Sequence, residues 1–118
     1  LFGWFQGGDR LKNQNRTKTS VWDFDRPKRS EEHPTMKPVA LWCYAIENHT
    51  LAGNVVYDPF CGSGTTIIAA ESLKRKCFAM EILPQYCDVI CQRFYDFTSV
   101  KPKREDGTEW PHPQNVVK

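Results

Sequence analysis

The run Asn54-Val55-Val56-Tyr57-Asp58-Pro59-Phe60-Cys61-Gly62-Ser63-Gly64-Thr65 begins as an apolar segment and ends in small residues. Its first five residues suit a short buried strand, and Pro59 to Gly64 form a turn. From Thr65 to Leu73, Ile67, Ile68, Ala69 and Ala70 suit a helix buried on most sides. Downstream, Cys77-Phe78-Ala79-Met80-Glu81-Ile82 reads as a second apolar strand. A helix follows from about Pro84 to Thr98, with Tyr86, Val89, Ile90, Arg93 and Phe94 at helical spacing. Upstream, Val39, Trp42, Cys43 and Ile46 fall at i, i+3, i+4 and i+7, one stripe of a helix over Pro38 to Asn48. The order is helix, strand, turn, helix, strand, helix. It predicts a β-α-β unit with parallel strands and a right-handed crossover, set in a sheet covered on both faces.

Open α/β sheets bind ligands at the carboxyl ends of their strands, where this turn lies. Glycine there lets backbone approach a ligand without an intervening Cβ, and the N–H groups opening the helix can meet an anionic group. Three ligand classes compete for such a turn. A phosphate loop needs a lysine after the last glycine, and none follows Gly64. A dinucleotide fingerprint wants a third glycine where Ile67 stands, and a branched side chain there obstructs close helix–strand packing. An adenosine-bearing ligand without a pyrophosphate instead requires an acid at the end of the second strand. Glu81 occupies that position, and its two oxygens can accept hydrogen bonds from both ribose hydroxyls.

The flanks are less specific. In His33-Pro34-Thr35-Met36-Lys37-Pro38 two prolines stiffen the backbone, so Thr35 and Lys37 are either presented to a ligand or serve as a rigid helix start, with Thr35 as cap. Val21-Trp22-Asp23-Phe24-Asp25 alternates as a short half-buried strand would. Arg10, Lys12, Arg16 and Lys18 form a basic stretch that suits DNA phosphates or a solvated loop. From Lys101 onward Pro102, Pro111 and Pro113 among polar residues suit a poorly ordered tail.

Over the 118 residues, 40% hydrophobic and 25% charged content is ordinary for a globular domain, and the formal charge of +2 permits a nucleic-acid partner without demanding one. No apolar run approaches the roughly 20 residues of a membrane span, and no signal-peptide pattern is present. The five cysteines include no C-x-x-C pair and suit reduced thiols in a cytoplasmic protein rather than a metal site.

Together these residues resemble the beta class of DNA amino-methyltransferases, which modify adenine N6 or cytosine N4. His33 to Pro38 is similar to the segment beside the methionine part of S-adenosylmethionine (SAM). Asp58 to Thr65 is similar to the glycine-rich cofactor loop, and Ala79-Met80-Glu81 to the strand ending in the ribose-binding acid. The resemblance spans about Glu31 to Phe94 and implies a partial Rossmann-like α/β methyltransferase fold, a β-α-β unit with flanking helices and an incomplete sheet whose missing strands come from an upstream segment or another chain. It implies that Phe60, Gly62, Ser63, Gly64 and Thr65 line a SAM pocket, that Glu81 holds the ribose and that Ile82 packs on the adenine. Thr35 and Lys37 would border the methionine end. Asp58 would fix the loop or reach the ligand's ammonium.

The family's catalytic Asp/Asn/Ser-Pro-Pro-aromatic tetrapeptide, which receives a flipped base, does not occur in these residues. The chain is therefore expected to hold no catalytic residue, to bind SAM weakly or not at all as it stands, and not to methylate. With Leu1 first, it reads as a segment of a longer enzyme: residues 1–30 end a target-recognition region, 31–98 form the SAM-binding portion and 99–118 form the tail. DNA and a catalytic segment, upstream or on a complementary chain, are the expected partners. Two rival readings are a non-catalytic nucleic-acid-binding module and a fragment of a NAD-type oxidoreductase.

Overall fold

The computed structural model describes residues 21–24 and 37–110. Their elements follow the order α1 (Val39–His49), β1 (Val55–Asp58), α2 (Thr65–Ser72), β2 (Lys76–Ala79) and α3 (Pro84–Thr98). Pro38, extended at φ −60° and ψ 133°, occupies the N-cap of α1, so the cap is not Thr35, which lies outside the described residues. Proline suits this edge because a helix start lacks an N–H acceptor anyway. The helix stops at Thr50, whose hydroxyl donates to the Ile46 carbonyl at 2.6 Å.

β1 and β2 pair in parallel, Val55 opposite Lys76 through Asp58 opposite Ala79. The second strand is shorter than the predicted Cys77–Ile82. Past Ala79, Met80 still donates to the Asp58 carbonyl at 2.9 Å, but its own carbonyl accepts from Cys61 N–H at 3.0 Å. The backbone beyond β2 is thus committed to the turn after β1.

α1 packs across α2, and α2 in turn packs on β2 and α3. Ile46, Ala69 and Ala70 form the buried centre, with Val39, Trp42, Cys43, Val56, Leu73 and Cys77 around it. Alanines on α2 allow the helices to approach closely and leave little apolar volume. Arg75 ties the layers together, donating from Nε to the Thr50 hydroxyl at 3.0 Å and from Nη2 to the Thr50 carbonyl at 2.9 Å.

Two expectations are corrected. Residues 21–24 form no strand; Trp22 and Phe24 meet the Tyr44 ring edge-on, with centroids 4.8 and 5.8 Å away, so aromatic packing takes the place of strand pairing. The sheet is incomplete, as the resemblance implies: it has two strands, and among the described residues Val55, Tyr57, Phe78 and Met80 stand exposed on the face away from the core. Finally, residues 101–110 of the expected loose tail form a tight turn. Lys103 and Glu109 bridge antiparallel, Lys101 pairs with Glu109 at 2.9 Å, and the Arg104 guanidinium stacks 5.0 Å over Trp110. The opposite charges and the aromatic ring compensate for the missing apolar pattern. Residues 111–118 lie outside the described residues.

Candidate functional site

β1 ends in Asp58, and the turn after it is built on that side chain. Asp58 Oδ1 accepts from Phe60 N–H at 3.0 Å, and Oδ2 accepts from the Thr66 hydroxyl in the first turn of α2. Both oxygens face the loop's own atoms, so Asp58 acts as an internal brace. Cys61 N–H donates to Met80, and Gly64 N–H donates to the Cys61 carbonyl at 2.9 Å. Gly64 caps α2 in the left-handed region at φ 79°, and a Cβ there would lie 2.9 Å from Ile90 Cγ1. Glycine is required at this position by conformation and by space alike.

Glu81, just beyond β2, meets this turn directly. Its Oε2 accepts from Gly62 N–H at 2.8 Å and its Oε1 from Leu83 N–H at 2.9 Å. The glycine turn and the acid, 19 residues apart, therefore share one side of the sheet's carboxyl end. Each carboxylate oxygen keeps acceptor capacity beyond its one amide partner. On either side of this contact in the chain, Phe60 is 89% and Ile82 90% exposed. Two large apolar side chains next to a carboxylate tip are costly to leave in water, and they suit a flat apolar ligand body with a polar rim. Ser63 and Thr65 are buried on the far side of the turn.

Of the residues singled out from sequence, Asp58, Phe60, Gly62, Ser63, Gly64, Thr65 and Glu81 come together here, with Ile82 adjoining them. Lys37 instead lies over the Trp42 ring, 5.7 Å from its centroid. Thr35 lies outside the described residues. Two residues escaped the sequence reading: Thr66, which clasps Asp58, and Arg93 of α3, whose Nη1 donates to the Ser63 carbonyl at 2.6 Å. The available signal for Arg93 was an arginine inside the apolar stripe of α3.

Cys61 sits within the turn. Burial, reinforced by the Asp58 and Glu81 carboxylates, pushes its thiol up to about 11. It is a packed neutral group, unsuited to act as a nucleophile at neutral pH. All five cysteines are free thiols, and among the described residues no cluster of three metal-binding side chains occurs. Among the same residues no helix is long and apolar enough to cross a membrane.

A family model described as DNA methylase, of the N6/N4 type, matches residues 6–92. The orphan methyltransferase M.BamHII of Bacillus amyloliquefaciens is 36% identical over 87 residues, covering 70% of this chain and 31% of that protein. The DNA adenine methyltransferase YhdJ of Escherichia coli K12 is 38% identical over 78 residues, covering 63% of this chain and 26% of its own length. The chain thus spans about a third or less of these curated relatives. Among solved structures, M1.HpyAVI in complex with SAM is 33% identical with a TM-score of 0.53, over 65% of this chain and 42% of that one.

Proposed function

Because the chain belongs to the N6/N4 DNA methylase family, we propose that it forms the SAM-binding part of a DNA methyltransferase acting on the exocyclic amine of adenine or cytosine. The observation that carries this reading is the Gly62–Glu81 contact at the tips of adjacent parallel strands. Here the Glu81 oxygens accept the two ribose hydroxyls on their remaining lone pairs, and Ile82 covers the adenine. Phe60 and Gly62 wall the pocket, Ser63, Gly64 and Thr65 shape the turn from its α3 side, and Asp58 keeps the turn in shape and leaves the ligand's ammonium to others. The methionine end is assigned to the segment of Thr35 and Lys37 by its likeness to the family, although Lys37 lies over the Trp42 ring. SAM supplies a sulfonium-activated methyl group; the part played by these residues is alignment and the exclusion of water. The SAM complex of M1.HpyAVI supports this assignment, and the relatives favour neither rival reading.

The base-receiving residues lie on another segment, upstream in the same polypeptide or on a complementary chain. Parallel strands are buried on both faces in complete folds, and the exposed Val55, Tyr57, Phe78 and Met80 give that segment its seat. DNA is the substrate partner, residues 1–30 close the target-recognition region, and free thiols beside a DNA-modifying role fit the cytoplasm.

Titration calorimetry of the chain at millimolar ligand tests the cofactor assignment. Heat is expected with SAM and with its demethylated product, and none with NAD. Heat with NAD and none with either sulfur ligand would overturn it.

A further inference from the structure

The glycine turn is gripped from two sides, and only the strand side belongs to the cofactor reading. On the other side stands α3, whose apolar stripe of Tyr86, Val89, Ile90 and Phe94 contains one charged member, Arg93. Placing a guanidinium among apolar neighbours is unfavourable unless its donors are satisfied. Arg93 crosses 30 residues to the turn, where Nη1 donates to the Ser63 carbonyl at 2.6 Å, with the Ser63 hydroxyl at 3.1 Å and the Thr65 hydroxyl at 3.3 Å. One helical turn earlier, Ile90 fills the space that a Cβ on Gly64 would need.

The Ser63 carbonyl and the Gly64 N–H belong to the same planar peptide. Drawing that carbonyl toward α3 turns the N–H the opposite way, and it donates to the Cys61 carbonyl at 2.9 Å. The contact with Arg93 therefore sets the plane of the peptide at the centre of the turn. From this geometry we propose that Arg93 is a positioning residue for the cofactor turn: it fixes from the helix side the same backbone that Glu81 fixes from the strand side. It touches the loop and not the cofactor. The proposal rests on the SAM-binding reading for its functional consequence, but the loop-holding role stands on the contacts alone.

The three contacts to the turn end on one nitrogen; a methionine has no donor to make them, and a lysine keeps the charge but ends one bond short of Nη1. Amide hydrogen exchange of the full chain, wild type against Arg93→Met and Arg93→Lys, reads the ligand-free turn; SAM titration of the same proteins reads the consequence. Losing a hydrogen bond to a charged donor should raise exchange at residues 61–65 by about tenfold in Arg93→Met and weaken SAM binding by a similar factor. Amides of β1 and β2 should be unchanged, and Arg93→Lys, which keeps the charge with a shorter reach, should fall between wild type and Arg93→Met on both counts. Unchanged exchange in the turn, a global rise across the sheet, unfolding of Arg93→Met, or a lysine variant more impaired than the methionine one would each overturn the proposal. If wild type fails to bind SAM while the turn still loosens in Arg93→Met, the cofactor reading falls and the loop-holding role survives.

Discussion

At the residue scale the turn is a set of side chains each used once. Asp58 braces its start, Glu81 holds its middle, Arg93 its rear, and Gly64 supplies the left-handed conformation. Cys61 shows what this costs in charge: a thiol enclosed near two carboxylates stays neutral, with its titration pushed from 9.0 to about 11. Burial also raises Cys77 and Cys91. A raised folded value means that the folded chain keeps its proton where the unfolded chain has lost it. Stability from this source is complete below pH 9.0 and drains away as pH climbs through about 11. Urea midpoints for wild type and Cys61→Ala should therefore converge, or cross in favour of the alanine variant, as pH rises over that window. Curves that stay parallel from pH 9.0 to about 11 would show that the Cys61 thiol titrates freely.

At the element scale, the central strand–turn–helix was legible because each part shows its own period. The apolar run into Asp58, the small-residue turn and the alanine-rich segment after Thr65 each admit one conformation. Boundaries were less legible. β2 stops at Ala79 because the carbonyl of Met80 is taken by Cys61, a choice made by a residue far back in the chain that no local pattern encodes. Val21 to Phe24 alternates like a strand but finds Tyr44 rather than a ladder. Glu81 and the glycines were readable as a pair, whereas Arg93 looked like one more member of a stripe, since only the folded chain shows what its nitrogen reaches. The joint between turn and α3 gives a direct check. Gly64→Ala combines a left-handed non-glycine residue with a methyl group 2.9 Å from Ile90, and should cost about 2–4 kcal/mol. Denaturant unfolding measures it, and a loss below about 0.5 kcal/mol would mean that α3 does not press on the turn as described.

At the scale of the whole molecule, α1 and α2 pack on one face of a two-stranded sheet, with α3 against α2, and the other face carries Tyr57 and Phe78, each 62% exposed. The core beneath is small, built on Ile46 and two alanines, and the matched region is only 31% of M.BamHII and 26% of YhdJ. Such a portion can still present a formed cofactor turn, because Asp58, Glu81 and Arg93 hold it with contacts internal to the chain. The claim on which the rest depends is that this turn and Glu81 together receive the nucleoside of SAM. The direct measurement is a titration of the isotopically labelled chain with SAM, followed amide by amide in two-dimensional NMR, for wild type and Glu81→Gln. Shifts should concentrate at residues 60–65 and 81–83 in wild type, vanish in Glu81→Gln and be absent with NAD. If SAM moves no amide in those two segments, or if NAD moves the same set, the nucleoside is not held there.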